Sequence, residues 1–94
     1  AKVTVISFWF IACMPFVEDI PKLNQLVERY AKDSVAFVAF SMDQEESIQR
    51  VLAKVPFHYQ IVPNARETAN MLGVSAFPTH LIIDKEGTVR YLQE

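Results

Sequence analysis

The one cysteine of the chain, Cys13, stands in the stretch FWFIACMPF, at the end of an apolar run and two residues before Pro15. A cysteine attacks as the thiolate, and unpaired backbone N–H groups at a helix start favour that form. Spacing after Cys13 changes from strand-like to helical, which puts the thiol at such a start. The expectation is an exposed and moderately activated Cys13. The competing reading is an inert thiol packed as a small hydrophobe. A lone cysteine closes no intramolecular disulfide and builds no cysteine zinc site. His58 and His80 are isolated, so no metal site is expected, and no other cofactor is called for. Glu45 and Glu46 read as a solvated helix start rather than a carboxylate pair. No Ser-His-Asp arrangement has a supporting motif.

The elements that must position Cys13 can be read from periodicity. Lys2 to Phe10 is rich in Val, Ile, Phe and Trp, as in a central strand buried on both faces. From Phe16, a stripe of Ile20, Leu23, Val27 and Tyr30 has helical spacing. Pro21 lies inside that stripe, which predicts a kink and not a stop. Val35 to Met42 is a second buried strand. Asp43 and Glu46 have the spacing of a capping box, opening a helix whose face is Ile48, Val51, Leu52 and Val55 and which Pro56 closes. Tyr59 to Val62 is a short strand. Asn64 and Glu67 repeat the capping spacing before a short helix that ends at Gly73. Thr79–Ile83 and Thr88–Leu92 form a hairpin around Asp84–Gly87. Both glycines thus have backbone tasks, and none is left for a phosphate loop.

Half the residues are apolar, and the net charge of −2 gives no field for nucleic acid and no basic patch for an anionic membrane. The uncharged run from Val3 to Val17 is shorter than the ~20 residues of a membrane-spanning helix. It also makes a poor signal core, with Lys2 the only basic residue ahead of it. Residues 1–94 are expected to be a single domain, excised from a longer chain because it starts at Ala1. The order β-α-β-α-β-α-β-β predicts an α/β sandwich whose central mixed sheet has parallel strands and a C-terminal antiparallel hairpin, flanked by helices.

Trp9 four residues before Cys13, Pro15, a helix from that point carrying Pro21, and Gly73-Val74-Ser75-Ala76-Phe77-Pro78-Thr79 together resemble the thioredoxin fold. The segment between Asp43 and Pro63 resembles the extra α-β insertion of the TlpA/ResA-like thiol–disulfide oxidoreductases, relatives of the AhpC/TSA proteins. FPTHLIIDKEG is similar to that branch's cis-proline strand and hairpin. The resemblance implies that Cys13 is the nucleophile of a Cys-x-x-Cys site whose resolving position holds Phe16, a side chain that cannot attack a disulfide. It also implies a cis Phe77–Pro78 bond, with the backbone of Ala76 and Phe77 turned toward Cys13.

On this resemblance the substrate side of the site comprises Trp9, Phe16, Ala76, Phe77 and Pro78. Read from the residues alone, Trp9 is a packing residue and Phe16 starts the buried stripe. Contact between Phe16 and a partner is the second reading. Ser7 stands where thioredoxins carry a buried acid, and Phe10 replaces the threonine of a peroxiredoxin site. The implied activity is thiol–disulfide exchange through one cysteine, with an external thiol as resolver. The alternative is a redox-inactive interaction module built on the Pro78 groove. Implied partners are protein or peptide thiols and disulfides, including glutathione, with no nucleic acid and no membrane contact. The implied setting is extracytoplasmic, periplasmic or membrane-tethered.

Overall fold

A computed structural model describes residues 3–93; Ala1, Lys2 and Glu94 lie outside it, and with them the expected first residue of the opening strand. The elements are β1 (Val3–Trp9), α1 (Met14–Arg29), β2 (Val35–Ser41), α2 (Glu45–Leu52), β3 (Gln60–Val62), α3 (Arg66–Met71), β4 (Thr79–Ile83) and β5 (Val89–Gln93). They build one five-stranded sheet in the order β3-β2-β1-β4-β5. β1 runs parallel to β2 and β2 to β3, while β4 is antiparallel to both β1 and β5. The mixed sheet with a closing hairpin is the architecture that the alternation of elements predicts.

β1 is central, and its last three residues show what that means. Ser7, Phe8 and Trp9 are consecutive, alternate between the two faces, and are all fully buried. On the face carrying Trp9 and Ala39, Phe16 and Ile20 of α1 close the core, joined by Phe57 and Tyr59. Leu52 and Val55, from α2 and the turn after it, pack against the same cluster. Both parallel crossovers therefore deliver their helices to one face, as successive right-handed connections in one direction must. Pro21 lies inside α1, which continues past it to Arg29.

Local sequence rules hold at the glycines and fail at two caps. Gly73 has φ +74°, with Val74 N–H donating to Ala69 C=O (2.8 Å) and Gly73 N–H to Asn70 C=O (3.1 Å). This is the paired termination a left-handed residue permits. Gly87, at φ +82°, closes the hairpin turn. There the Asp84 carboxylate accepts from the backbone N–H groups of Glu86 (2.9 Å) and Thr88 (3.0 Å) and from Arg90 Nε (2.7 Å). The Thr88 N–H and the Arg90 guanidinium hold the Asp84 carboxyl below the usual carboxylate range.

The expected capping boxes do not form. Gln44, not Asp43, precedes α2, and Ala65, not Asn64, precedes α3, neither with a side-chain cap. Asp43 is drawn instead to partners outside the helix. Asn64 takes a left-handed φ of 54° one residue too early to cap.

Asn24 ties the middle of α1 to the segment after α2. Its Nδ2 donates to Pro56 C=O (2.8 Å), and its Oδ1 accepts from His58 N–H (2.7 Å). At about 0.5–1.5 kcal/mol for each bond, Asn24→Ala should lower stability by about 1–3 kcal/mol. The expected readout is a lower urea midpoint at unchanged slope. An unchanged midpoint would show that water replaces both bonds at no cost.

Candidate functional site

β1 ends at Trp9, and the chain turns tightly before α1. Cys13 N–H donates to Phe10 C=O (2.9 Å) and Met14 N–H to Ala12 C=O (3.0 Å). Cys13 is the N-cap of α1, and its carbonyl accepts from Phe16 N–H (3.1 Å) and Val17 N–H (3.2 Å). Pro15, in the first turn, has no N–H to satisfy there. The helix-start placement read from the sequence is thus present, but the expected exposure is not. Cys13 is only 7% exposed, while its neighbours Ala12, Met14 and Pro15 face solvent. The side chain turns inward because it joins the apolar cluster of Trp9, Phe16 and Phe57.

Phe16, one helical turn on, is 1% exposed. Its ring is nearly parallel to two others, Trp9 at 5.0 Å and His80 at 5.9 Å between centroids, and makes a T-shaped contact with Phe57 at 5.6 Å. Burying such a ring is worth about 1.5–3 kcal/mol before stacking is counted. Trp9 is wholly buried as well. Both residues, named above as substrate-side candidates, belong to the apolar core that also takes up Cys13. Trp9 Nε1 has no hydrogen-bond partner, the one such buried side-chain nitrogen or oxygen among the described residues.

The Ala76–Pro78 loop lies at the same end of the sheet. Antiparallel register sets Phe8 opposite Thr79, so the residues just after β1 and just before β4 are neighbours. Phe10 and Phe77 make the contact, edge to face at 5.6 Å between centroids. The Phe77–Pro78 bond is cis. Ala76 is exposed, while Phe77 and Pro78 are half-buried. The Ala76 carbonyl already accepts from the buried Thr79 hydroxyl, which leaves it one lone pair for any other donor.

His80 has a place that sequence reasoning missed. It is half-buried, with Nδ1 2.8 Å from Ser7 Oγ, and its ring stacks on Phe16. Burial pushes its pKa down, partly opposed by the negative charge of Asp19. Tyr59 in the same core is pushed up by burial, with the Ser7 hydroxyl opposing. No local signal marks His80; only the pairing of β1 with β4 brings it beside Ser7.

A sequence profile described as thioredoxin-like matches residues 1–89. The thiol-disulfide oxidoreductase ResA of Geobacillus thermodenitrificans is 26% identical over 91 residues, covering 95% of this chain and 52% of its own length. ResA of Bacillus thuringiensis is 24% identical over 90 residues, covering 94% of this chain and 52% of its own. The chain thus spans about half the length of the curated relatives it matches. A Chlorobium tepidum structure described as the thiol:disulfide interchange protein DsbE superposes with a TM-score of 0.91 at 26% identity, covering 98% of this chain and 67% of that one.

The lowered His80 pKa fixes a pH dependence. The folded state binds this proton less readily than the unfolded chain, whose histidine titrates near about 6.5. Its contribution is fully present above that pH and is lost as pH falls through the folded value. Stability measured by urea should therefore decline below about pH 6.5, and His80→Asn should flatten that decline. An equal decline in both proteins would assign it to other groups.

Proposed function

This chain belongs to the thioredoxin-like family, and on that premise we propose that it carries out thiol–disulfide exchange through Cys13 alone, with a thiol from solution as resolver. The observation that carries the reading is the placement of Cys13 at the N-cap of α1, at the end of the sheet where Phe10 meets Phe77 of the Ala76–Pro78 loop. The Cys13 thiolate attacks one sulfur of a substrate disulfide, forming a mixed disulfide and releasing the other sulfur as a thiolate. Where the family pattern has its second cysteine, Phe16 offers only a ring. A first glutathione thiolate then attacks the Cys13 sulfur and releases the second substrate thiol. A second glutathione frees Cys13 and leaves as oxidised glutathione. The balance is two glutathione thiols oxidised for each substrate disulfide reduced.

Protein and peptide disulfides are the substrates of this reading, docked along exposed Ala76 and half-buried Phe77 and Pro78. An extracytoplasmic setting goes with it, because that is where disulfides persist. One observation favours a second reading. Cys13 is buried and its partner position is filled by core, which suits an interaction module that keeps the loop groove and performs no exchange.

Incubating the folded protein with a peptide disulfide and weighing the intact product separates the two. The expected result is a mixed disulfide at Cys13 that accumulates and disappears only when glutathione is added. Absence of any adduct while the protein is folded would establish the interaction module. Steady reduction of the peptide by a non-thiol reductant, with no added thiol, would show that Phe16 does not block resolution.

Phe16→Cys supplies the complementary result. Side chains three apart on a helix stand about 5–6 Å apart between Cβ atoms, so a small shift can close a bridge to Cys13. The variant should lose less than the roughly 3–5 kcal/mol of a Phe→Ala change, form a titratable disulfide, and reduce the peptide catalytically with dithiol reductant. A folded, disulfide-forming variant that exchanges with no substrate would contradict the enzyme reading.

A further inference from the structure

Asp43 stands one residue before the N-cap Gln44 and turns its carboxylate away from α2. Its Oδ2 reaches across 32 residues of sequence to accept from Ile11 N–H at 2.7 Å. The same oxygen accepts from Ser41 Oγ–H at 2.8 Å, and Asp43 N–H donates back to Ser41 Oγ at 3.1 Å. Ser41 is fully buried, so the carboxylate is anchored from below.

The backbone around it is fixed on both sides. Met42 N–H donates to Trp9 C=O (3.1 Å), Asn64 N–H to Asp43 C=O (2.9 Å), and Ala65 N–H to Ser41 C=O (2.8 Å). The sheet end and the β3–α3 connection thus hold Asp43 still, and its link to Ile11 reaches the turn that carries Cys13. Such a link to a carboxylate is charge-assisted and stronger than a neutral hydrogen bond. The helix it leaves behind begins with no side-chain cap.

We infer that Asp43 is a positioning residue for Cys13: through Ile11 it straps the Phe10–Cys13 turn to the end of β2 and sets how far the thiol opens. The role in exchange rests on the reading of Cys13 as nucleophile. With the strap in place, Cys13 stays in the cluster until a disulfide docks beside it in a defined orientation. Without it, the turn loosens, so small reagents gain access while the docked geometry is lost.

Asp43→Ala and Asp43→Asn in the whole chain test this, with hydrogen exchange at the Ile11 amide, the rate of Cys13 alkylation by iodoacetamide, and the rate of adduct formation with a peptide disulfide. In Asp43→Ala, Ile11 exchange and alkylation should each rise at least about tenfold, and peptide adduct formation should fall. Asp43→Asn, whose amide oxygen still accepts, should lie between Asp43→Ala and the parent protein, and it carries the test if Asp43→Ala does not fold. Opposite movement of the two thiol rates is the signature, because general destabilisation exposes Cys13 to both reagents alike. Unchanged Ile11 exchange and alkylation, or a parallel rise in both thiol rates, would overturn the inference. If the parent protein forms no peptide adduct at all, the exchange reading falls, and Ile11 exchange with alkylation still decides whether the strap exists.

Discussion

The packing of the Phe16 ring against Trp9, His80 and Phe57 is the constraint on which this end of the fold rests. The ring stacks on Trp9 and His80 and meets Phe57 in a T-shaped contact, so Phe16, with Val17 beside it, packs the first turn of α1 into the core. A site with two exchanging thiols needs a small, reactive side chain in that turn. This chain has instead a large apolar one, and the neighbouring rings are arranged around it. The inward turn of Cys13 follows, because the cluster that takes up Phe16 takes up the thiol one turn before it.

Around that cluster, local and long-range contacts frame the turn that carries the thiol and the loop before β4. Asp43 holds the turn at Ile11, Thr79 holds the carbonyl of Ala76, and Phe10 and Phe77 join the two loops. Ser7 and His80 supply a polar pair in the apolar core. A buried thiol in such a frame is reached by local opening, and its reactivity depends on what that opening costs relative to global unfolding. Ala12, Met14 and Pro15 are already exposed, so the opening needed is small in extent.

Much of this fold was legible because its elements differ sharply in period. The β-branched and aromatic richness of β1, the apolar run of β2 and the Phe16–Ile20–Leu23–Val27 stripe each allow one assignment. Gly73 and Gly87 marked chain reversals that only a left-handed residue makes easily. The capping spacings at Asp43 and Asn64 misled, because a cap is a local preference and each residue had another task. Asp43 had a stronger partner 32 residues away, and Asn64 was committed to a left-handed turn. The helix-start position of Cys13 was readable but its burial was not, since a cap residue can point either way and neighbouring rings decide. His80 was unreadable for a related reason: its partners Ser7 and Phe16 lie on β1 and α1, and only the sheet pairing brings them together.

If Cys13, buried as it is, acts as a nucleophile, local opening of the turn before α1 must expose it. The most direct test is the alkylation rate of Cys13 across low urea concentrations, compared with the global unfolding equilibrium of the same protein. Local opening exposes little surface, so the rate should stay nearly flat with urea and exceed what global unfolding allows. A rate that climbs with the full urea slope of unfolding would show that the thiol reacts only in the unfolded chain, and would rule out Cys13 as a nucleophile of the folded protein.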